Sequence, residues 1–193
     1  FTNWVGARDF ADRLSAVNLG TGTWQGGWTA KRAEADGRIV VERNGVEFWA
    51  PAGEFRHEGD LATPGLQGAV RIAKECFELA SGFYLAYGNA DDTRHAGDLL
   101  RIYWHLAPTG AERMVRVVTE VLNRGGIPFQ FKVESEPLRF QRTDPAVLYL
   151  ARSEYARALP LIAEIHAAIA PWLRSTVSFL VKRLAAGVGL AED

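Results

Sequence analysis

The side chains best suited to chemistry stand on alternate positions of short apolar segments. In Arg101-Ile-Tyr-Trp-His-Leu106, a strand would send Ile102, Trp104 and Leu106 to one face and Arg101, Tyr103 and His105 to the other. Phe129-Gln-Phe-Lys-Val133 repeats the pattern, with Phe129, Phe131 and Val133 opposed to Gln130 and Lys132. Val177, Phe179 and Val181 likewise oppose Ser178, Leu180 and Lys182. If these strands share a sheet, one face collects Arg101, Tyr103, His105, Lys132 and Lys182, which are basic or neutral with no acid among them. Such a set suits an anion, either a phosphate or a carboxylate. The plainer reading of the same alternation is one solvated face of an antiparallel sheet. Lys31, further toward the N-terminus, is an additional candidate cation.

Other chemistries fit less well. His57, His95, His105 and His166 lie far apart in sequence, and no compact His/carboxylate set stands out, so neither a metal nor another cofactor is expected. There is no evident Ser-His-Asp or Cys-His signature for covalent catalysis. His166 follows Ile162 and Ile165 at helical spacing and reads as a packing residue, and Cys76 reads as core. The stretch Gly20-Thr-Gly-Thr-Trp-Gln-Gly-Gly-Trp28 invites a dinucleotide reading. It has Gln25 where that fingerprint needs its third glycine, and it follows a helix, so a loop delivering Trp24 and Trp28 to a core is the better account.

The elements that would position these residues can be read from periodicity. Residues 7–17 place Phe10, Leu14 and Val17 at helical spacing. From Trp28 to Ala50 a three-strand meander is predicted, with turns at Asp36-Gly37 and Asn44-Gly45, the latter a type I′ signal. A loop is expected over 51–65 and a helix over 66–80, with Leu66, Val70, Ala73 and Phe77 on one face. Strands are predicted at Phe83–Tyr87, in LLRIYWHL, in IPFQFKVES, in PAVLYLAR and in STVSFLVKR. Between them, AERMVRVVTEVLNRGG gives a helix with a Met114, Val117, Val118, Val121, Leu122 stripe and Gly125 at its C-terminal cap. SEYARALPLIAEIHAAIAPWL gives another, interrupted or restarted at Pro160. The expected class is α+β: a largely antiparallel sheet flanked by helices, with an N-terminal β-meander. It reads as one domain over 1–193, with 1–65 forming the helix and meander and 66–193 the main sheet and helices.

Composition narrows the partners. The 193 residues are 48% hydrophobic and 23% charged, in the globular range. Twenty-two Lys and Arg against 23 Asp and Glu leave a net charge of -1, so no global basic field exists to hold nucleic acid or an anionic membrane. One cysteine excludes an intrachain disulfide and fits a reducing, cytoplasmic compartment. The sequence begins with Phe1, which reads as a fragment of a longer chain.

LLRIYWHLAPTGAERMV, IPFQFKVESEPLRFQRTDPAVLYLAR and VKRLAAGVGLAED, in that order, resemble the HopA-type effector family, and GTGTWQGGW and ASGFYLAYG fit the same pattern. The family was first named for a secreted effector of plant pathogens. Its bacterial relatives are lyases in class V lanthipeptide and thioamitide maturation. The resemblance implies a bacterial, metal-independent lyase that eliminates phosphate from phosphoserine or phosphothreonine in a ribosomal precursor peptide with a leader, after a separate kinase-like phosphotransferase has acted. The dehydroamino acids dehydroalanine and dehydrobutyrine would be its products. The alternative is a non-catalytic, effector-like module that binds a phosphopeptide or a partner protein.

The resemblance also implies residue roles. In the related phosphothreonine lyases a Lys base precedes a phosphate-binding Arg by about twelve residues, and Lys132 with Arg142 comes close to that spacing. The basic/His pair of those enzymes corresponds either to Arg101/Tyr103 or to Tyr103/His105, so the general acid is Tyr103 or His105. Arg101, Arg142, Lys182 and Lys31 would bind substrate, the plainer reading of Arg142 being a loop arginine paired with Asp144. This agrees with the chemistry: elimination needs a neutral lysine, which neighbouring cations or burial favour, and arginine forks that grip a dianion.

Overall fold

The computed structural model describes residues 2–51, 53–59, 65–77, 82–91 and 98–192. His95 and part of the predicted 66–80 helix (78–80) lie outside them. The chain divides into two compact units, residues 22–73 and residues 1–21 with 74–193.

The 22–73 unit is a five-stranded antiparallel sheet: β1 (Thr23–Ala33), β2 (Ile39–Arg43), β3 (Val46–Ala50), β4 (Phe55–His57) and β5 (Gln67–Ile72), in the order β3-β2-β1-β5-β4. The predicted meander is present, and Asn44 and Gly45 both take positive φ in the β2–β3 turn, as a type I′ hairpin requires. Two expectations are corrected. The glycine stretch is largely the start of β1, whose register slips between Gln25 and Trp28 at Gly26-Gly27. Trp28 reaches the core, whereas Trp24 lies beneath the Arg56 guanidinium at 3.9 Å. The helix expected from residue 66 is instead β5. Gln67, Ala69 and Arg71 alternate with Gly68, Val70 and Ile72, a period of two that the Leu66/Val70/Ala73 spacing masks. A Cβ on Gly68 would fall 2.4 Å from the Phe55 ring, so only glycine lets β4 and β5 pair there. β4 also occupies part of the expected 51–65 loop.

The larger unit contains α1 (Thr2–Val17), β6 (Glu75–Cys76), β7 (Phe83–Tyr87), β8 (Leu99–Trp104), α2 (Ala111–Arg124), β9 (Gln130–Glu134), β10 (Ala146–Ala151), α3 (Tyr155–Ile169), β11 (Lys182–Ala185) and β12 (Val188–Glu192). Its strands form one antiparallel sheet in the order β11-β12-β8-β10-β9-β7-β6. The α+β class is as expected. Ile102, Trp104, Phe131, Val133, Leu148 and Leu150 form the core face and pack with Phe10 and Leu14 of α1, the predicted α2 stripe, and Ile162, Ile165 and Ile169 of α3. α3 runs unbroken through Pro160. Gly125 follows α2, but Gly126 is the one with positive φ. Cys76, expected in the core, is half-buried on the short edge strand β6.

The C-terminal expectation is corrected. STVSFLVKR is a strand only at its last two residues: before them Val181 N–H donates to the Ser178 carbonyl in a turn, and Phe179 is 94% exposed. The strands lie later, as a β11–β12 hairpin. Gly187, at φ 70°, makes their connection, and a Cβ there would fall 2.3 Å from the Arg174 carbonyl oxygen.

Candidate anion site on the outer sheet face

Strand pairing aligns residues into rungs across the larger sheet. Gly189, Tyr103, Val147, Lys132 and Leu85 form one rung, and Ala191, Arg101, Tyr149, Gln130 and Tyr87 form the next on the same face. The rung between them, through Leu190, Ile102, Leu148, Phe131 and Ala86, belongs to the core face. Arg101, Tyr103 and Lys132 therefore share the face away from the core. β8 and β9 flank β10, which puts Tyr103 and Lys132 roughly 10 Å apart at the backbone. The face is half-buried, not fully solvated: Val147 is 2% exposed, and Arg101, Tyr103, Gln130 and Lys132 are all partly covered.

Lys132 Nζ rests over the Phe83 ring, 4.2 Å from its centroid, and the Arg139 guanidinium carbon lies 5.5 Å from the same centroid. Directly across from Phe83 on β9 is Glu134, which is fully buried. Arg139 Nε approaches its Oε2 at 3.2 Å, yet neither Glu134 oxygen has an aligned hydrogen-bond donor. Burial pushes the Glu134 carboxyl above the ordinary glutamate range, against the opposing pull of Arg139, Arg142 and Lys132. The expectation of a face without an acid is thus corrected. Glu134 continues the Gln130/Lys132 alternation by one more step, so that signal was available. Arg139 lies in a single 3₁₀ turn, Pro137–Gln141, where no periodicity points to it.

Arg142 is already engaged. Its Nε and a terminal nitrogen donate to the two Asp144 carboxylate oxygens at 2.9 and 3.0 Å, a bidentate fork. That contact holds Asp144 below the usual aspartate range, with burial opposing it. Lys132, Glu134, Arg139, Arg142 and Asp144 form one electrostatic cluster: three cations and two carboxylates.

His105 sits beyond the end of β8 and is buried. Nδ1 lies 3.0 Å from the Thr176 carbonyl and 2.8 Å from its hydroxyl, while Nε2 lies 3.5 Å from a terminal nitrogen of Arg174. The carbonyl can only accept and the guanidinium can only donate, which assigns the proton to Nδ1 and the lone pair to Nε2. Arg174, not singled out from sequence, also donates to the Phe140 carbonyl at 3.0 Å.

Lys182 is not brought to this cluster. Lys182 pairs with Leu190, on the rung of Ile102, so it does not share the face of Lys132. β11 is also four strand positions from β9, roughly 19 Å. The alternation that placed Lys182 on the polar face assumed a strand through a segment that turns. Lys31 belongs to the 22–73 unit, where its ammonium pairs with Glu42 at 3.2 Å. Among the described residues no group of three His, Cys, Asp or Glu side chains could hold a metal, and no helix is long and apolar enough to cross a membrane.

A half-buried sheet face with clustered cations, built on this α+β frame, coincides with a family assignment. Residues 77–193 match the HopA1 effector protein family, and the chain belongs to it. Two solved structures are similar to it at low identity, and the first of them shows the shared fold. One is an effector protein from Pseudomonas syringae pv. syringae strain 61 (TM-score 0.53, 12% identity, covering 98% of this chain and 63% of that one). The other is an effector protein from Pseudomonas syringae pv. tomato strain DC3000 (TM-score 0.48, 15% identity, 97% and 63%). The chain therefore spans less than two thirds of the length of either. No curated protein matches it.

Proposed function

We propose that this chain is a lyase that eliminates phosphate from phosphoserine or phosphothreonine in a ribosomal precursor peptide. Lys132 takes the Cα proton, the C–H electrons form the Cα=Cβ bond, and the Cβ–O pair leaves with the phosphate. Tyr103 or His105 donates a proton to the departing oxygen, and the arginines of the face hold the dianion. Dehydroalanine or dehydrobutyrine and inorganic phosphate are the products. A phosphotransferase must act first, since the substrate carries the phosphate ester.

The observation that carries this reading is the shared rung: a lysine and a tyrosine on one half-buried face, two strands apart, with Arg101 one outward-facing position away on β8. The reaction requires a base, an acid and cations on a single surface, and needs no nucleophile. The test is incubation with a synthetic phosphoserine peptide, watching by mass spectrometry for loss of phosphoric acid. A parent protein that leaves the peptide intact overturns the proposal.

A second reading has its own support. Glu134 and Asp144 compete with a phosphate for the cations of the cluster, and Arg142 is already paired. Those contacts suit a module that binds a phosphopeptide or protein partner without turnover. Tight phosphopeptide binding without elimination is the outcome that selects it.

A further inference from the structure

We infer that Arg139, set beside Glu134 in the space that Gly82 leaves, is the guanidinium that grips the substrate phosphate; this deepens the proposed lyase reading and rests on it. The family spacing points instead to Arg142, but its fork is filled by Asp144 through two aligned hydrogen bonds. A phosphate at Arg142 would have to displace a carboxylate of matching geometry. Arg139 differs. Among the described residues its side chain approaches Glu134 through Nε and lies near the Phe83 ring, and it is 37% exposed.

Three features show a guanidinium held in place and not adrift on the surface. Glu134 is a wholly buried carboxylate whose Oε2 lies 3.2 Å from Nε, an ion-pair contact on one side of the fork that leaves the terminal nitrogens without a carboxylate among the described residues. Phe83 lies under both Arg139 and Lys132, the proposed base, and so ties the grip to the site of proton abstraction. Gly82 makes room: a Cβ there would fall 1.7 Å from one terminal nitrogen of Arg139, and its φ of 81° independently favours glycine. A bare surface arginine needs none of these. The pre-set fork reduces the ordering cost of binding, which is what a site for a planar, bidentate contact to phosphate requires.

The experiment measures affinity apart from turnover. Binding of a synthetic phosphoserine peptide is followed by calorimetry in the parent, Arg139→Ala, Arg139→Lys, Gly82→Ala and Arg142→Ala, with inorganic phosphate as competitor and thermal melts to confirm folding. Elimination is assayed beside it. Arg139→Ala is expected to raise Kd at least tenfold, Arg139→Lys to recover little of that, and Gly82→Ala to weaken binding by displacing the guanidinium. Arg142→Ala should change Kd less than Arg139→Ala does. If Arg139→Ala does not fold, the Lys and Gly82 variants carry the same comparison. Parent-like affinity in the Arg139 variants overturns the inference, and elimination by the parent then leaves the lyase reading standing. Loss of binding at Arg139 in a parent that never eliminates keeps the inference and removes the lyase reading. A parent that binds no phosphopeptide overturns both.

Discussion

Tyr103 and Lys132 pair with the same residue, Val147, from opposite sides, so a phenol and an ammonium share one rung of the seven-stranded sheet. Direct partners across an antiparallel ladder project to the same face, and a one-residue slip would reverse either of them. The apolar alternation of Ile102, Trp104, Phe131, Val133 and Leu148 fixes that register, because each of these side chains is completely buried.

Lys132→Ala is expected to lower the elimination rate by about 10²–10⁴-fold, the usual contribution of a general base. Phosphopeptide affinity should stay close to that of the parent, since removing a base alters the transition state more than the bound state. Rates from mass spectrometry and affinities from calorimetry give the comparison. Elimination at the parent rate would remove Lys132 from the reaction.

Asp144→Asn should release the Arg142 fork. Because Asp144 is held below its ordinary value by Arg142, its stabilising contribution is present above that value, near 3.8, and is lost as pH falls through the lowered folded-state pKa. Arg142 is mostly exposed, so solvent screening limits the effect to about 0.5 kcal/mol or less. Denaturant melts of parent and variant between acid and neutral pH should therefore converge at the acid end. Competition by inorganic phosphate should improve in the variant if Asp144 occupies cationic space that an anion can use.

Glu134→Gln probes the opposite sign. Burial raises the Glu134 carboxyl above its ordinary 4.5, so its favourable linkage is complete below that pH and fades as pH rises through the folded-state pKa. Relative to the parent, the Gln variant should gain stability from acid toward neutral pH, because it carries no charge to bury. A pH-independent difference between the two melts would contradict a carboxylate that titrates in this setting.

Much of this arrangement was legible in the sequence, for reasons specific to each element. β8 and β9 announce themselves because their alternate residues are large and apolar, and a fully buried face leaves only that pattern. α2 does so through Met114, Val117, Val118, Val121 and Leu122, all at most 4% exposed. The 66–80 stretch imitates a helix because Leu66, Val70 and Ala73 also satisfy a helical period, while Gly68, the residue that admits Phe55, carries no periodic signal. Alternation points Lys182 to the face opposite its real one because Phe179 and Leu180, apolar but exposed, imitate a strand. Arg139 was invisible because its position comes from a 3₁₀ turn and a contact with Gly82 more than fifty residues earlier.

Asn18→Ala tests how α1 is fastened to the larger sheet. Asn18 is buried just after α1, its Nδ2 donates to the Tyr84 hydroxyl at 2.8 Å and the Lys74 carbonyl at 3.2 Å, and its Oδ1 accepts from Gly20 N–H at 2.8 Å. Tyr84 in turn donates to Glu75. Removing the amide strands several buried groups, at a cost of about 1–3 kcal/mol. In a protein of this size that corresponds to a melting temperature lower by roughly 2–12 °C. An unchanged melt would show that the network contributes nothing net.

For the proposed elimination, the choice between Tyr103 and His105 as proton donor turns on where their protons lie. His105 is enclosed, with Nδ1 committed to Thr176 and Nε2 facing the Arg174 guanidinium, which can only donate. An acid needs its N–H or O–H aimed at the leaving group, and neither ring nitrogen of His105 is available without breaking one of these contacts. Tyr103 is half-buried on the Lys132 rung, and its hydroxyl has no hydrogen-bond partner among the described residues. Tyr103→Phe, which removes only that oxygen, is therefore expected to slow elimination by about 10²-fold or more with phosphopeptide affinity nearly intact. His105→Asn should instead lower the melting temperature, by leaving Thr176 and Arg174 without their buried partner, while the variant that remains folded still turns over. Rate, affinity and melting temperature measured on both variants separate the roles. A Tyr103→Phe protein that eliminates phosphate as fast as the parent, beside a folded His105→Asn protein that does not, would reverse the assignment.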